Sequence, residues 1–482
     1  MCERKLILTS LVVALLLLAC QSPIFCARPY PNRVILIPYE EARPILEAMG
    51  DTTPAELRSV DAASWSKWVA RRNTEIRARV IQGDEDSIVN LLLFGTSFTL
   101  RPRITSRYLN QLTGKKSVSE SPELAGFRAA IEARADDLAK ALIAPGKNER
   151  LLFARELIRR TKGYDVVTPA GREGIKQYLL ANLARVLNEQ TGYARALESA
   201  QLLNDASAEF IERSKLYSSR GLSSDTSLLP NFAIEKALLS IKTRGLLEAR
   251  GVRRVAIIGP GLDFTDKQDG YDFYPQQTIQ PFAIIDTLLR LGLASANKLR
   301  VTTFDLSPRV NDHLRRAEQR GLRGASYIIQ LPRDAQARWS QEASDYWTRF
   351  GNQIGTAATP AAAPAGLGEV KVRAVRVRPS VAALITPEDL NIVLQRLVLP
   401  PGEEFDLVIA TNIFVYYDVF EQSLALTNVA HMLRVGGLLL SNNALLELPA
   451  TGVRSVDYET VVYSDRPNDG DHIVWYQRVA SQ

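Results

Sequence analysis

Apolar residues recur at helical spacing through the first half of the chain, from residue 53 to about residue 250. The pattern predicts five to eight helices. The first is expected to begin at Thr53-Pro54-Ala55-Glu56, where an N-cap residue, a proline and an acidic residue follow one another. Another is expected over residues 121–143, before a Pro-Gly stop. Residues 88–99 predict a buried helix and a turn rather than a binding site.

The pattern changes at Gly251, after which short apolar runs alternate with helical segments. This alternation predicts β-α-β units and a parallel sheet. The expected strands are 252–258, 299–304, 405–410 and 438–441, with further candidates at 327–331 and 370–377. The expected helices are 278–291, 308–320, 346–354 and 419–433. Residues 453–462 and 472–479 alternate around an Asn-Asp-Gly turn and predict a terminal antiparallel hairpin.

The two patterns divide the 482 residues into a predicted α-helical domain, residues 27–228, and an α/β domain, residues 229–482. The second domain carries a Pro/Ala-rich insert at residues 356–366. Hydrophobic content of 46% is ample for a buried core. The net charge of +6 is spread along the chain, without the clustered basic and aromatic residues of a nucleic-acid site, so no nucleic-acid partner is expected.

Residues 1–26 predict a targeting segment. Two basic residues precede an apolar run, residues 6–19, which has the length of a signal-peptide core and is short for a membrane span. Leu17-Leu18-Ala19-Cys20 resembles a bacterial lipoprotein box, which implies cleavage before Cys20 and lipid attachment to it. Ordinary cleavage a few residues later, an uncleaved anchor and a misassigned start codon are alternatives. We expect a membrane-associated protein, lipid-anchored or exported, or a cytoplasmic one if the segment is not a functional signal.

Cysteines and histidines limit the chemistry of the folded part. All three cysteines lie in residues 1–26, so a cysteine metal site, redox pair or nucleophile is not expected beyond them. The three histidines are far apart in sequence, and no metal site is expected. We interpret His313 as a helix-surface residue, His431 as a packed residue inside a helix, and His472 as part of the hairpin turn.

Groups that can bind a nucleoside follow the first two strands. Gly259-Pro260-Gly261 directly follows the first strand and would let the backbone approach a bound nucleoside. Phe264 stands where a dinucleotide fingerprint has its third small residue, which counts against a nicotinamide or flavin dinucleotide. Asp305 ends the second strand, where a carboxylate can accept both ribose hydroxyls. The alternative is that Asp305 only caps the next helix, together with Ser307 and Pro308.

A third strand leads to another candidate side chain. Residues 405–418 read FDLVIATNIFVYYD, which places Asn412 at the carboxyl end of a buried strand. Asp418 and Glu421 predict a capping box for the helix that follows, and Gly436-Gly437 is expected to end that helix.

Together these segments resemble the class I S-adenosylmethionine-dependent methyltransferases. VAIIGPGLDF resembles their first motif, VTTFDLSP their second strand, and residues 405–418 with NVAHMLRVGGLLLSNN their fourth and fifth motifs. Residues 412–417 are closest to the protein-glutamate methyltransferases of chemotaxis. The terminal hairpin matches the antiparallel seventh strand of that fold. The resemblance covers about residues 230–480 and implies an α/β fold, a Rossmann-like methyltransferase sheet with a terminal antiparallel hairpin, preceded by a mostly α-helical domain.

The resemblance implies S-adenosylmethionine as the cofactor and suggests which residues contact it. The implied contacts are Gly259 and Gly261 beneath the methionine and ribose, Asp305 at the ribose hydroxyls, Leu306 beside the adenine, Asp389 and Leu390 near the adenine amine, and Asn412 facing the methyl-transfer site. The family usually has an acid just before the glycines, where this chain has Ile257 and Ile258. Asp263 is a candidate substitute that would contact the amino end of the cofactor.

Residues 263–280 form a long insertion with several aspartates and aromatic residues. They are either a lid or substrate-reading loop, or a packed surface loop. The expected function is methyl transfer to an unknown acceptor selected by the helical half. In-line displacement depends on positioning and desolvation more than on a base, and no catalytic base is assigned. The alternatives are a non-catalytic membrane-tethered binding or scaffold protein that retains the fold, and a dehydrogenase, which Phe264 disfavours.

Overall fold

A seven-stranded sheet forms the centre of the protein in a computed structural model that describes residues 33–50, 53–104, 122–201, 218, 220–264, 271–365, 367–466 and 469–480. The predicted targeting segment, residues 1–26, lies outside the described residues. The helices are α1 (Tyr39–Met49), α2 (Ala62–Phe94), α3 (Pro122–Ala141), α4 (Glu149–Lys162), α5 (Pro169–Gln201), α6 (Leu229–Thr243), α7 (Gln280–Arg290), α8 (Pro308–Leu322), α9 (Gln341–Arg349), α10 (Pro379–Ala382) and α11 (Val419–Met432).

The strands follow the same numbering along the chain. They are β1 (Arg33–Leu36), β2 (Arg254–Ile258), β3 (Arg300–Asp305), β4 (Tyr327–Asp334), β5 (Gly355–Ala357), β6 (Val370–Val377), β7 (Ile385–Asp389), β8 (Gln395–Val398), β9 (Phe405–Ala410), β10 (Leu433–Ser441), β11 (Val453–Val462) and β12 (Gly470–Arg478). Single turns of 3₁₀ helix occur at Ala55–Leu57, Phe414–Tyr416 and Pro449–Thr451.

The order of strands in the large sheet is β7-β3-β2-β9-β10-β12-β11. The first five run parallel, and β12 lies antiparallel to both β10 and β11. In the middle of the sheet, Ile257 of β2 is in register with Thr303 of β3 on one side and with Ile409 of β9 on the other. The predicted α/β fold with its Rossmann-like sheet and terminal antiparallel hairpin is therefore confirmed. Strand β7, which pairs with β3, was not among the predicted strands.

Alternate residues of the central strands face two separate cores, as the period of a strand requires. Val255 and Ile257 pack with α6, α7 and α8 on one face. Ala256 and Ile258 pack on the other face with α11, α1 and the first part of α2. The connection from β7 to β9 carries only β8, which pairs with β1, so helices from the start of the chain cover this face. Residues Val34–Gln482 form one compact unit.

Two further assemblies surround the large sheet. Strands β4, β6 and β5 form a separate antiparallel three-stranded sheet inserted between α8 and β7, with Thr356 and Ala357 of the predicted Pro/Ala-rich insert in its edge strand. The second half of α2 packs with α3, α4 and α5 around two apolar clusters. Phe264, from the loop after β2, is fully buried in one of these clusters. Among the described helices, none is long and apolar enough to cross a membrane.

Two predicted helix boundaries are wrong. No α-helix begins at Thr53, because its hydroxyl donates to Leu46 O (3.1 Å) instead of capping a helix. The long helix α2 begins at Ala62, where the Asp61 carboxylate accepts from Ser64 N and completes a capping box. The capping box predicted for α11 is confirmed, but α11 passes directly into β10. Gly436-Gly437 therefore does not end the helix and lies at an irregularity in the pairing of β10.

The structure also corrects the interpretation of the histidines. His313 is buried rather than on the helix surface, and its Nε2 lies 2.7 Å from the hydroxyl of Tyr327. Burial lowers the pKa of His313 to about 4. His431 is exposed rather than packed, with Nδ1 2.9 Å from Thr427 O. His472 lies within β12, near the turn, and its ring contacts the ring of Tyr458.

Candidate functional site

A cavity, called the central cavity below, opens at the carboxyl ends of β2, β3 and β9. The chain leaves β2 toward β3 on one side and later returns to β9 on the other, so the cavity sits at the point where the strand order reverses. It is lined by Val80, residues 222–227, Pro230, Ile258, Gly259, Gly261, Gln280, residues 304–307, Leu390, Ile392, residues 411–413, Tyr416 and Tyr417.

The glycine turn after β2 is held between two other segments of the chain. Gly259 and Gly261 both have positive φ, at 65° and 61°. A Cβ on Gly259 would lie 2.1 Å from Ile413 Cδ1, and one on Gly261 would lie 2.6 Å from Ser224 O. Both predicted glycines therefore line the cavity. At Gly261 a side chain would meet backbone and has no room, whereas at Gly259 it would meet the end of a flexible side chain and the positive φ is what favours glycine. The close approach that excludes a Cβ is made by the protein itself.

Asp305 ends β3 and lines the cavity beside the glycine turn. Its Oδ1 accepts a hydrogen bond from Ser307 N (2.8 Å), in the turn that leads into α8. Burial raises the pKa of Asp305 to about 7, although backbone donors at Ser307 and Gly261 act in the opposite direction. Asp305 therefore forms a turn with Ser307, the N-cap residue of α8, but no side chain caps that helix, so the capping alternative is not supported. A ligand that donates hydrogen bonds here would favour the ionised carboxylate.

Apolar side chains line the cavity beyond Asp305. Leu306 is half-buried, whereas Leu390 and Ile392 are buried, and all three lie on its wall. Asp389 is placed elsewhere. Its carboxylate accepts from Arg77 Nη1 (2.7 Å), and half of its side chain is exposed. Although Asp389 is in register with Asp305, the ion pair with Arg77 holds its carboxylate away from the cavity, which Leu390 lines instead.

Asn412 occupies the mouth of the cavity, as expected for a residue after β9. Its φ is +58°, a conformation that asparagine tolerates better than most side chains. The backbone N of Asn412 donates to Asn442 Oδ1 (2.7 Å), and Asn442 Nδ2 donates to Asn412 Oδ1 (2.7 Å). These two hydrogen bonds fix Asn412 against Asn442. The side-chain carbonyl oxygen of Asn412 can accept one further hydrogen bond, and its amide nitrogen can donate to a ligand.

The structure does not bring Asp263 to the central cavity. Its Oδ2 accepts from Tyr274 OH (2.9 Å) and Gln277 Nε2 (2.8 Å), and burial raises its pKa to about 6. The described parts of the 263–280 insertion are packed. Asp272 is buried and accepts from the backbone and hydroxyl groups of Thr96 and Ser97. These contacts fit the packed-loop alternative, while residues 265–270 lie outside the described residues.

Sequence reasoning missed the segment before α6. Leu262 N donates to Ser224 O (2.7 Å) and Thr226 N donates to Leu262 O (2.9 Å), so residues 224–226 run beside the glycine turn as a short parallel bridge. This pairing brings Asp225 to the cavity. The polar run SSDTS at residues 223–227 was the available signal, but nothing in the sequence links it to a loop almost forty residues later.

The buried Tyr417 after β9 does not supply a base. Tyr417 is buried, and burial raises the pKa of its hydroxyl well above the usual value. The guanidinium of Arg79 lies 5.7 Å from the Tyr417 ring centre, and its Nη2 donates to Tyr416 O (2.9 Å). The described cavity lining contains no histidine. Across the described residues, no group of three or more His, Cys, Asp or Glu side chains is placed to hold a metal ion.

Comparisons with known proteins return only distant structural similarity. No family model matches the chain, and no curated protein matches it in sequence. Among solved structures, the chain is similar to the N-methyltransferase NodS from Bradyrhizobium japonicum WM9, with 13% identity over 51% of this chain and 95% of that one, and a TM-score of 0.25.

Two other solved structures give similar values. The magnesium protoporphyrin IX methyltransferase ChlM from Synechocystis PCC 6803, with bound SAM, is 10% identical over 60% of this chain and 91% of that one, with a TM-score of 0.25. An O-methyltransferase family protein from Burkholderia thailandensis is 10% identical over 76% of this chain and 100% of that one, also at 0.25. At these scores the fold assignment rests on the observed sheet order and not on the neighbours.

Proposed function

We propose that the protein is an S-adenosylmethionine-dependent methyltransferase that holds its cofactor in the central cavity. One observation carries the proposal. The glycine turn, with Gly259 and Gly261, directly follows β2, and Asp305 ends the neighbouring parallel strand β3, so the two lie together at the switch point of the sheet. The sheet order with an antiparallel β12 agrees with the methyltransferase resemblance of the sequence.

The chemistry of the cavity fits a nucleoside with an amino-acid tail. Asp305 offers a carboxylate to sugar hydroxyls, and Leu306 and Leu390 offer apolar surface to a flat base. Ser307 Oγ is buried in the cavity lining without a hydrogen-bond partner in the described part of the chain, so it is available to a ligand. A dinucleotide is a poorer fit, because Phe264 occupies the third position of the fingerprint and is buried among helices.

When bound, the cofactor would supply a methyl group on a positively charged sulfur, with S-adenosylhomocysteine as the leaving group. The residues of this chain would then act by position. The glycine turn and Asp305 would hold the nucleoside, and Asn412, fixed by Asn442, would lie beside it. Val80 and Leu222 also line the cavity and would help to exclude water. The neutral Tyr417 hydroxyl is not a base, so an acceptor that is already nucleophilic suits this site.

Calorimetric titration of the protein with S-adenosylmethionine and S-adenosylhomocysteine tests the proposal. We expect saturable binding of both, and a loss of at least about tenfold in affinity in Asp305→Ala, because a charge-assisted hydrogen bond is removed. Asp312→Asn is the matched control, since its exposed carboxylate on α8 pairs with Arg315. Absence of binding at millimolar ligand, or tighter binding of a nicotinamide dinucleotide, would contradict the proposal.

Binding without transfer would instead indicate the non-catalytic alternative. Transfer of labelled methyl groups from S-adenosylmethionine distinguishes the two. The likeness of residues 412–417 to the protein-glutamate methyltransferases of chemotaxis makes protein carboxylates the first acceptors to assay. A protein that binds the cofactor but methylates no carboxylate, amine or hydroxyl acceptor would favour a binding role.

A further inference from the structure

Asp225 is a buried residue of the central cavity lining, and its carboxylate is held by side chains of α2. Only 9% of the residue is exposed. Its two oxygens accept from Ser87 Oγ (2.8 Å) and Asn90 Nδ2 (3.0 Å), which lie one turn apart on α2. The pairing with Leu262 fixes its backbone beside the glycine turn. Position and orientation are thus determined by two independent segments of the chain.

The charge of Asp225 has no cation of its own. Its two side-chain donors, Ser87 and Asn90, are neutral, and no ion pair in the described part of the chain involves it. Arg309 lies in the same cluster, but its Nη2 is 3.2 Å from Asp84 Oδ1 and 3.2 Å from Ser224 Oγ. Arg309 Nη2 also lies 3.5 Å from Ser87 Oγ, and the charge of Arg309 acts on both Asp84 and Asp305. Arg309 is therefore shared among several carboxylates and is not a dedicated counter-ion of Asp225. A buried carboxylate without a counter-ion is unfavourable, and a ligand that brings a cation to it is bound preferentially.

Asp225 and Asp305 line the same cavity but belong to different segments of the chain. Asp305 ends β3, whereas Asp225 lies on the segment that pairs with the residue after Gly261. A single ligand that uses both acids must carry a hydroxyl-rich part and a cationic donor. A sulfonium group has no proton to donate, but an α-ammonium group has three. A nucleoside with an amino-acid tail meets this requirement.

We propose that Asp225 binds the α-ammonium group at the amino-acid end of the cofactor, and that Ser87 and Asn90 of α2 are its positioning residues. The inference rests on the proposed function and adds a specific residue to it. It also gives the helix α2 a part in ligand selection, exerted through Asp225. Asp225 takes the place of an acid at Ile257 or Ile258, and of Asp263, which faces a different part of the structure.

Two ligands can distinguish the contact made by Asp225 from the contacts made by the rest of the site. S-adenosylhomocysteine carries the amino-acid end, and 5′-methylthioadenosine has the same nucleoside thioether without it. In calorimetric titration of the full chain, we expect Asp225→Asn to weaken S-adenosylhomocysteine by about 10- to 100-fold, the range for a hydrogen bond to a charged group. Binding of 5′-methylthioadenosine should stay within about twofold of the unmodified protein, the scatter usual for a site without the lost contact. Asp312→Asn, which also removes one negative charge, should change neither affinity.

The outcomes separate the inference from the proposed function. If the unmodified protein binds neither ligand, the proposed function fails and the inference fails with it. If it binds both but Asp225→Asn weakens both equally or neither, the inference alone is wrong. If Asp225→Asn does not fold, Ser87→Ala tests the same point by removing one donor. It should weaken S-adenosylhomocysteine alone by about two- to tenfold, and an equal effect on both ligands, or none, would overturn the inference.

Discussion

Nucleoside binding in the central cavity should weaken as the pH falls below 7, because the carboxylate of Asp305 must be ionised to accept ligand hydroxyls. Burial raises the pKa of this group to about 7 in the protein without ligand. Hydrogen bonds donated by a sugar favour the ionised form and lower the pKa in the complex. Protons and ligand therefore compete below pH 7. Above that pH the carboxylate is already ionised, and the affinity should be constant.

The size of the effect follows from the two pKa values. If the complex returns the pKa to about 3.9, the ordinary value for aspartate, affinity should fall roughly 80-fold between about pH 8 and about pH 5. At about 1.36 kcal/mol per pKa unit this is about 2.6 kcal/mol of binding free energy. A ligand that shifts the pKa less gives a smaller fall, so the value is an upper limit. Binding at about pH 6 should release close to one proton.

Calorimetry with 5′-methylthioadenosine measures this without interference from a titrating ligand amine. Repeating the titration in buffers of different ionisation enthalpy counts the protons released. Asp305→Asn should bind more weakly at neutral pH and show no pH dependence. Asp263→Asn is the critical comparison, because burial raises the pKa of Asp263 to about 6 but its carboxylate bonds to Tyr274 and Gln277 outside the cavity. That variant should keep the full pH dependence. Constant affinity in the unmodified protein, or a persisting slope in Asp305→Asn, would refute the reasoning.

Three further predictions concern packing around the cavity, and chemical denaturation measures the change in the free energy of unfolding for each. Gly261→Ala should destabilise the protein by about 1–3 kcal/mol and weaken nucleoside binding, because φ is +61° and the new Cβ would meet Ser224 O at 2.6 Å; unchanged stability would contradict the geometry. Arg309→Met should cost about 3–5 kcal/mol by leaving the buried Asp84 without its partner, and adding Asp84→Asn should recover part of that loss; a double variant no more stable than the single one would argue against the ion pair. Asp418→Ala should cost about 1 kcal/mol by removing the N-cap of α11, with ligand affinity unchanged, and a strong loss of affinity would give it a role beyond capping.

The parallel sheet could be predicted because the local sequence of each central strand identifies it as a strand. β2 and β9 are short apolar runs followed by turn residues, and both are buried on both faces. Strand β7 was not predicted because its sequence, ITPED, has a proline and two acids, and it forms at the edge by pairing with β3. Edge strands depend on their neighbour more than on their own composition.

The residues of the candidate site also fall into those that the sequence could predict and those that it could not. Gly259, Gly261 and Asp305 directly follow predicted strands, so their place at the cavity was predictable from strand order alone. Asp225 was not, because a hydrogen-bonded bridge between distant segments brings it there. Asp263 was expected at the cavity, but its carboxylate bonds to Tyr274 and Gln277, and Asp225 is the residue that the structure places in the cavity lining. This placement is set by tertiary contacts and not by spacing.

The helix α2 explains why the two halves of the chain form one unit. Near its start, Trp65 packs edge-on against Phe420 of α11 and closes a face of the sheet. In its middle, Gly83 lies so close to the backbone of Leu222 that a Cβ would be 1.8 Å from Leu222 O. One turn further it supplies the donors that hold Asp225. A single helix of 33 residues thus covers the sheet, borders the cavity and positions an acid within it. If Asp225 binds the cofactor as proposed, cofactor binding should stabilise the docking of α2, because Ser87 and Asn90 hold Asp225 only when α2 is docked.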